Sequence, residues 1–211
     1  PITGRGTSLF YGYSVSRSAP KRLLSPYGIH SQANNLNVSV KHDFFDRDRY
    51  IGNVLASFEA KDKTTHGQEK TLSRDRLRIL SLGGTTFTRL FSNPVTVSPT
   101  ISQGLPWFGA DDKDDPLIAR NSDPGFTKFE LDQQHKKQLT PRLQLMTRNR
   151  SQLTAAKLAP NVESSVGGAD SVRGYPNGDY LADSANITNL DLLAPALILP
   201  QRWKLPYDVL P

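Results

Sequence analysis

Leu36-Asn37-Val38-Ser39-Val40-Lys41 and Thr127-Lys128-Phe129-Glu130-Leu131-Asp132 decide the fold. In the first stretch Leu36, Val38 and Val40 alternate with polar residues; in the second, Thr127, Phe129 and Leu131 alternate with charged ones. Successive side chains of a strand point to opposite faces, so each stretch is a strand with one apolar face. Working outward, similar runs occupy Thr7 to Ser16, Tyr50 to Glu59, Arg76 to Phe87, Val95 to Gly104, Arg142 to Gln152 and Asn186 to Ala194. They make about eight strands, whose lengths approach the roughly 9 to 11 residues a tilted strand needs to cross a membrane. Strands of soluble proteins most often have about 5 or 6. Two runs depart from the pattern. Arg76 to Phe87 loses its phase around Leu80, and Pro99 would remove a ladder donor from a central strand.

The links between these runs alternate in length. Arg17 to Asn34 is long, Phe44 to Arg49 short, Ala60 to Asp75 long and Thr88 to Pro94 short. Leu105 to Gly125 is again long, Gln134 to Pro141 short, and Leu153 to Ala185 longest. Long links at one end of a sheet and short ones at the other are the pattern of outer-membrane barrels, whereas a soluble sandwich has short turns at both ends. The expected fold is all-β, an antiparallel transmembrane β-barrel. The charge-rich stretches Lys61 to Lys70 and Ala110 to Asp115 read as solvated loops outside the membrane.

Composition narrows the classes. No run reaches the roughly 20 apolar residues of a membrane-spanning helix. The richest, Leu190 to Leu199, contains Asp191 and Pro195, so a helical membrane protein is excluded. Cysteine is absent, which excludes a disulfide scaffold and a thiolate metal site. The chain begins at Pro1 without a leader and reads as a mature fragment. The net charge of +6 is scattered among acids. A soluble basic β-sheet that binds nucleic acid or an anionic glycan would need a contiguous basic and aromatic face. No nucleic-acid partner is therefore expected.

No catalytic constellation stands out. Asp111, Asp112, Asp114 and Asp115 lack the glycine and terminal glutamate of a calcium loop and read as solvated. His30, His42, His66 and His135 stand far apart, without a helical metal-binding pair. Neither a phosphate loop nor a nucleophile elbow occurs. No metal, cofactor or enzymatic activity is expected. Arg76 and Arg78, like Arg148 and Arg150, lie two apart on candidate strands, so each pair shares a face. They are candidates for a basic lumen lining; the alternative is the solvent face of a soluble sheet. Basic residues facing lipid near the midplane would cost about 2 to 4 kcal/mol each, so a barrel requires them inside.

The most specific segment is Val166 to Asp183, VGGADSVRGYPNGDYLAD. Val172, Arg173, Gly174 and Tyr175 form a VRGY tetrapeptide, with Gly167 and Gly168 before it and Gly178, Asp179 and Asp183 after it. Taken alone it could be an Arg in a glycine-bounded turn of any β protein. With the strand-like Leu143 to Gln152 before it and NLDLLAP (Asn189 to Pro195) after it, it resembles the sixth extracellular loop of the superfamily of haemolysin secretion/activation proteins and BamA insertases. The former are the TpsB transporters of two-partner secretion. The resemblance implies about eight consecutive strands of an about sixteen-strand barrel, with the periplasmic POTRA domains and the last strands outside residues 1–211. It also implies a monomeric barrel in outer-membrane lipid of the bacterial cell, through which an extended exoprotein is secreted; a BamA-type insertase is the alternative. Within that picture Val172, Arg173, Gly174 and Tyr175 form a functional loop inside the lumen, supported by Gly167, Gly168, Asp179 and Asp183. Arg173 would meet an acidic residue of the inner wall, on a strand expected beyond Pro211, and Tyr175 would pack the loop against that wall.

Overall fold

The computed structural model describes residues 6–19, 28–46, 50–67, 70–90, 93–169 and 171–194. Eight strands form one sheet: β1 (Thr7–Ser18), β2 (His30–Asp46), β3 (Tyr50–Gly67), β4 (Lys70–Leu90), β5 (Asn93–Gly104), β6 (Thr127–Thr140), β7 (Leu143–Thr154) and β10 (Ala185–Leu193). Two three-residue strands, β8 (Ser164–Val166) and β9 (Tyr180–Ala182), pair with each other inside the last loop. The sheet order is β1-β2-β3-β4-β5-β6-β7-β10, and every pair is antiparallel.

The pairing carries the alternation across the sheet. On one face, Tyr11 stands opposite Val38, Val38 opposite Phe58 and Phe58 opposite Leu80. Further along, Leu82 faces Ile101, Ile101 faces Phe129 and Phe129 faces Leu153. Most of these side chains are exposed, Tyr11 to 86% and Leu82 to 55%. On the other face a polar row runs from Ser39 through Ser57, Ser81 and Ser102 to Lys128. Ser81 and Ser102 share a 2.9 Å hydrogen bond, as do Thr85 and Ser98 at 3.0 Å. The sheet is thus apolar on its open face and polar on the face over which its loops fold, the inverse of a water-soluble layer.

Antiparallel neighbours put alternate links at the same end. The first, third, fifth and seventh links share one end, as their lengths imply. Several links are shorter than expected, because the strands run on: β1 reaches Ser18 and β2 already begins at His30, while β6 continues to Thr140. Ala60 to Asp75 is not a loop: β3 continues to Gly67 and β4 starts at Lys70, so the charged stretch is a two-stranded overhang. Its charged residues are arranged as strand neighbours, with Lys63 opposite Asp75 and Asp62 opposite Arg76 across the pair. Residues 20–27 of the first link, the short links at 47–49 and 91–92, and Pro195 lie outside the described residues.

Both irregularities in the sequence have a structural reason. Pro99 does sit in a central strand, and the β4–β5 ladder breaks there, between the Gly83–Thr100 and Thr86–Val97 pairs. Opposite lie Gly83 and Gly84, and a Cβ at Gly83 would stand 3.0 Å from the Pro99 carbonyl. Glycines let the interrupted strands stay close. The phase change at Leu80 involves no bulge in the β3–β4 or β4–β5 pairing. Above it Leu77 and Ile79, on the polar-face side, pack with Phe126, Leu158, Ala159 and Val162 from the long loops. Below it Leu80 and Leu82 open onto the apolar face.

Candidate functional site

The loop between β7 and β10 is built from its foot upward. Gln152 donates to the Asp183 carbonyl at 2.8 Å, and the Asp183 carboxylate accepts the Leu158 N–H at 2.7 Å, closing the base. Leu158 and Ala159 are fully buried against β4, and Glu163 pairs with Arg120 of the β5–β6 loop at 3.2 Å. The β8–β9 ribbon then lifts the chain to a tip at residues 167–179. Four glycines there have positive φ: Gly167, Gly168, Gly174 and Gly178. A Cβ at Gly168 would collide with Asn177, and one at Gly167 with the Pro176 carbonyl and Asp179. The tip is therefore a compact folded turn, closed by Gly168 N–H to Tyr175 C=O at 3.1 Å and Gly167 N–H to Ser171 Oγ at 3.1 Å.

This fold-back puts Arg173 against the wall. Its Nη1 lies 2.6 Å from Asp191 Oδ1, and its Nε approaches the Ala169 carbonyl at 3.5 Å. Asp191 sits on β10 between Leu190 and Leu192, whose side chains take the opposite, apolar face. The carboxylate is 17% exposed and the guanidinium 65%, so the contact is worth about 1 kcal/mol and serves mainly to fix position. Among the described residues Arg173 thus meets an acid on the strand that follows the loop; a strand beyond Pro211, where its partner was expected, lies outside the described residues. Nothing in the motif announced Asp191; the available signal was the single acid of β10, at a position whose side chain takes the polar face. Tyr175 is 55% exposed, so within this chain it is the Tyr175 backbone that closes the turn.

The four arginines divide. Arg148 and Arg150 stand on the polar face, where Arg150 Nε donates to Asp132 at 3.2 Å. Arg76 and Arg78 share the side of Leu80 and Leu82, above the apolar rows on the overhang, and do not join the polar wall. Arg78 donates to Asp62 at 2.7 Å and to the Phe108 carbonyl at 2.9 Å. Arg76 donates through its N–H and its Nε to Asp111, both at 2.7 Å.

The acidic cluster also divides. Asp112 and Asp114 are exposed as expected, but Asp111 is 3% exposed and Asp115 ion-pairs with Arg74 at 2.8 Å. The Leu117 N–H and then Arg74 hold the Asp115 carboxyl below its usual range. Asp75 on the overhang is 4% exposed, and burial raises its pKa although the Ala119 N–H opposes the shift. Of the isolated histidines, His30 and His66 meet across β2 and β3 with ring centroids 5.1 Å apart.

The arrangement is an eight-stranded wall with a polar face, onto which one loop is folded and held by an Arg–Asp contact. Two solved structures are similar to it. CdiB from Escherichia coli matches with a TM-score of 0.77 and 20% identity, over 92% of this chain and 37% of that one. CdiB from Acinetobacter baumannii matches with a TM-score of 0.67 and 15% identity, over 91% of this chain and 34% of its own. The chain thus spans just over a third of the length of each. No curated protein sequence matches it. The family described as haemolysin secretion/activation protein ShlB/FhaC/HecB matches residues 1–208, essentially the whole sequence. With an inside-out antiparallel sheet and a VRGY loop seated on its polar face, the chain belongs to the ShlB/FhaC/HecB haemolysin secretion/activation family, as a partial barrel.

Proposed function

We propose that this chain is part of the carboxy-terminal half of an outer-membrane pore that passes an extended exoprotein to the cell surface in two-partner secretion, without covalent chemistry. The observation that carries the reading is the Arg173–Asp191 contact, which holds the VRGY loop on the polar face. A loop fixed there narrows a water-filled lumen and gives a passing chain a defined element to displace. The apolar rows meet lipid, since a barrel closes its edges and turns apolar side chains outward. The polar face, with its serine row and the Arg148 and Arg150 side chains, lines the path. The work done is positioning and passage, so no nucleotide, metal or other cofactor is needed, and the pore acts as a monomeric barrel.

The test is secretion of the exoprotein by Arg173→Ala and Asp191→Asn variants of the full-length protein, with its outer-membrane level measured in parallel. Both substitutions should abolish or strongly reduce secretion at normal abundance, because the loop and not the wall is disturbed. Wild-type secretion by both variants would reduce the contact to an ordinary turn restraint.

A further inference from the structure

The β5–β6 loop contains a feature that secretion does not explain. Where β5 ends, the loop takes over the free edge of β4: Leu105 N–H bonds Arg78 C=O at 2.7 Å, and Asp111 N–H bonds Arg76 C=O at 3.0 Å. Between these bonds the chain reverses at Trp107-Phe108-Gly109-Ala110, closed by Ala110 N–H to Trp107 C=O at 3.1 Å. Phe108 has φ +54 and Gly109 φ +75, the pattern of a primed hairpin turn, which asparagine or glycine ordinarily begins. A bulky aromatic in that place is a backbone outlier. It is nevertheless held firmly, with Arg78 Nε donating to its carbonyl at 2.9 Å. Its ring is 75% exposed, and that of Trp107 61%.

The location gives the strain a purpose. Phe108 stacks edge-on with Phe58, centroids 5.9 Å apart, and Phe58 pairs with Leu80 on the apolar face. One step up, Ala60 faces Arg78 and Asp62 faces Arg76, so charge replaces apolar surface at this level. The turn therefore adjoins the upper border of the apolar rows, where the amphipathic indole of Trp107 favours the boundary between lipid headgroups and acyl chains and the apolar Phe108 ring can lie beside it. We infer that Trp107 and Phe108 form an anchor for the outer leaflet, held by Arg78 and continuous with the lipid-facing wall. Its partner is lipid at the headgroup–acyl boundary. The inference rests on the barrel reading above, and its test separates the two.

In the full-length protein reconstituted in phosphatidylcholine vesicles, Trp107 is made the sole tryptophan by replacing Trp203 and any others with Phe. Lipids brominated near the headgroup should quench Trp107 several-fold more than lipids brominated near the bilayer centre, and aqueous iodide should quench it weakly. A second protein carries Leu82→Trp with Trp107→Phe and should be quenched by deep bromines. Lipid-insensitive emission from Leu82→Trp would overturn the barrel reading itself. Quenching at position 82 with Trp107 open to iodide would overturn only the anchor. Phe108→Asn suits the turn better but lacks the ring, so it should shift Trp107 towards iodide; unchanged lipid quenching would remove Phe108 from the anchor.

Discussion

The upper and lower halves of β4 bury opposite sides of the same strand. From Lys70 to Ile79 the apolar residues Leu77 and Ile79 point to the polar-face side, under Phe126 and Leu158 from the loops. From Leu80 to Leu90 the apolar residues Leu80 and Leu82 point the other way, onto the open face. The pairing runs through Ile79, Leu80 and Ser81 without a register shift, so the environment changes there and the strand does not. Above the membrane a strand needs a core, and loops supply it on one side. Within lipid the surroundings are apolar and the lumen wet, so the preference inverts.

The division of β4 is tested most strongly at Phe126, 1% exposed within the upper cluster. Phe126→Ala should cost about 3 to 5 kcal/mol of loop packing. It should appear as much faster proteolysis of residues 105–126 and 155–184 on intact cells, with the barrel's heat-modifiable gel mobility unchanged. Loss of the barrel itself would show that the upper cluster supports the wall and would end the division into halves.

The lower half is tested by a charge in place of an apolar side chain. Leu82→Arg should cost about 2 to 4 kcal/mol if the residue faces mid-bilayer lipid. The readout is the denaturant midpoint of folding into vesicles, with the loops' protease resistance unchanged in the protein that does fold. A midpoint equal to wild type would place Leu82 in water.

The smallest expected effect sharpens the upper half alone. Because Asp75 has a folded-state pKa raised above 3.8, its charged form opposes the fold at neutral pH. As pH falls from the raised value towards 3.8, the folded state takes up the proton first and the fold gains stability. Asp75→Asn, which keeps an oxygen for the Ala119 N–H, should slow amide exchange at Ala119 slightly at pH 7, and the difference should vanish below pH 4. A variant that exchanges faster at neutral pH would show that the carboxylate charge, facing Lys63, stabilises the overhang.

Sequence alone went far for the wall and less far for what leans on it. Alternation placed every strand of the main sheet, because a lipid-facing strand must repeat every second residue. It failed at Leu80, where a true change of environment looks like a lost phase, and at Lys61 to Lys70, where cross-strand charge pairs look like a loop. The VRGY tip could be read from its glycines, but not Asp191 as the partner of Arg173, since that contact depends on how far the loop folds back. Arg76 and Arg78 were read as a same-face pair, and they are one, but on the face of Leu80 and Leu82; their height above the apolar rows is what allows charges there.

The strand order has a consequence for how such a wall assembles. Up to β7 every strand pairs with the one just before it, and four of those pairings close across the short links at 47–49, 68–69, 91–92 and 141–142. Such pairings restrict little chain and can zip in succession as the polypeptide arrives. The β7–β10 pairing must instead bring together ends about thirty residues apart, at an entropic cost about 2 kcal/mol greater than for the shortest links. The β8–β9 ribbon, the Leu158–Ala159 foot and the glycine tip shorten the free chain across that gap. The loop that meets the lumen is thus also the seam at which the growing sheet would pause, and its internal contacts make that seam close.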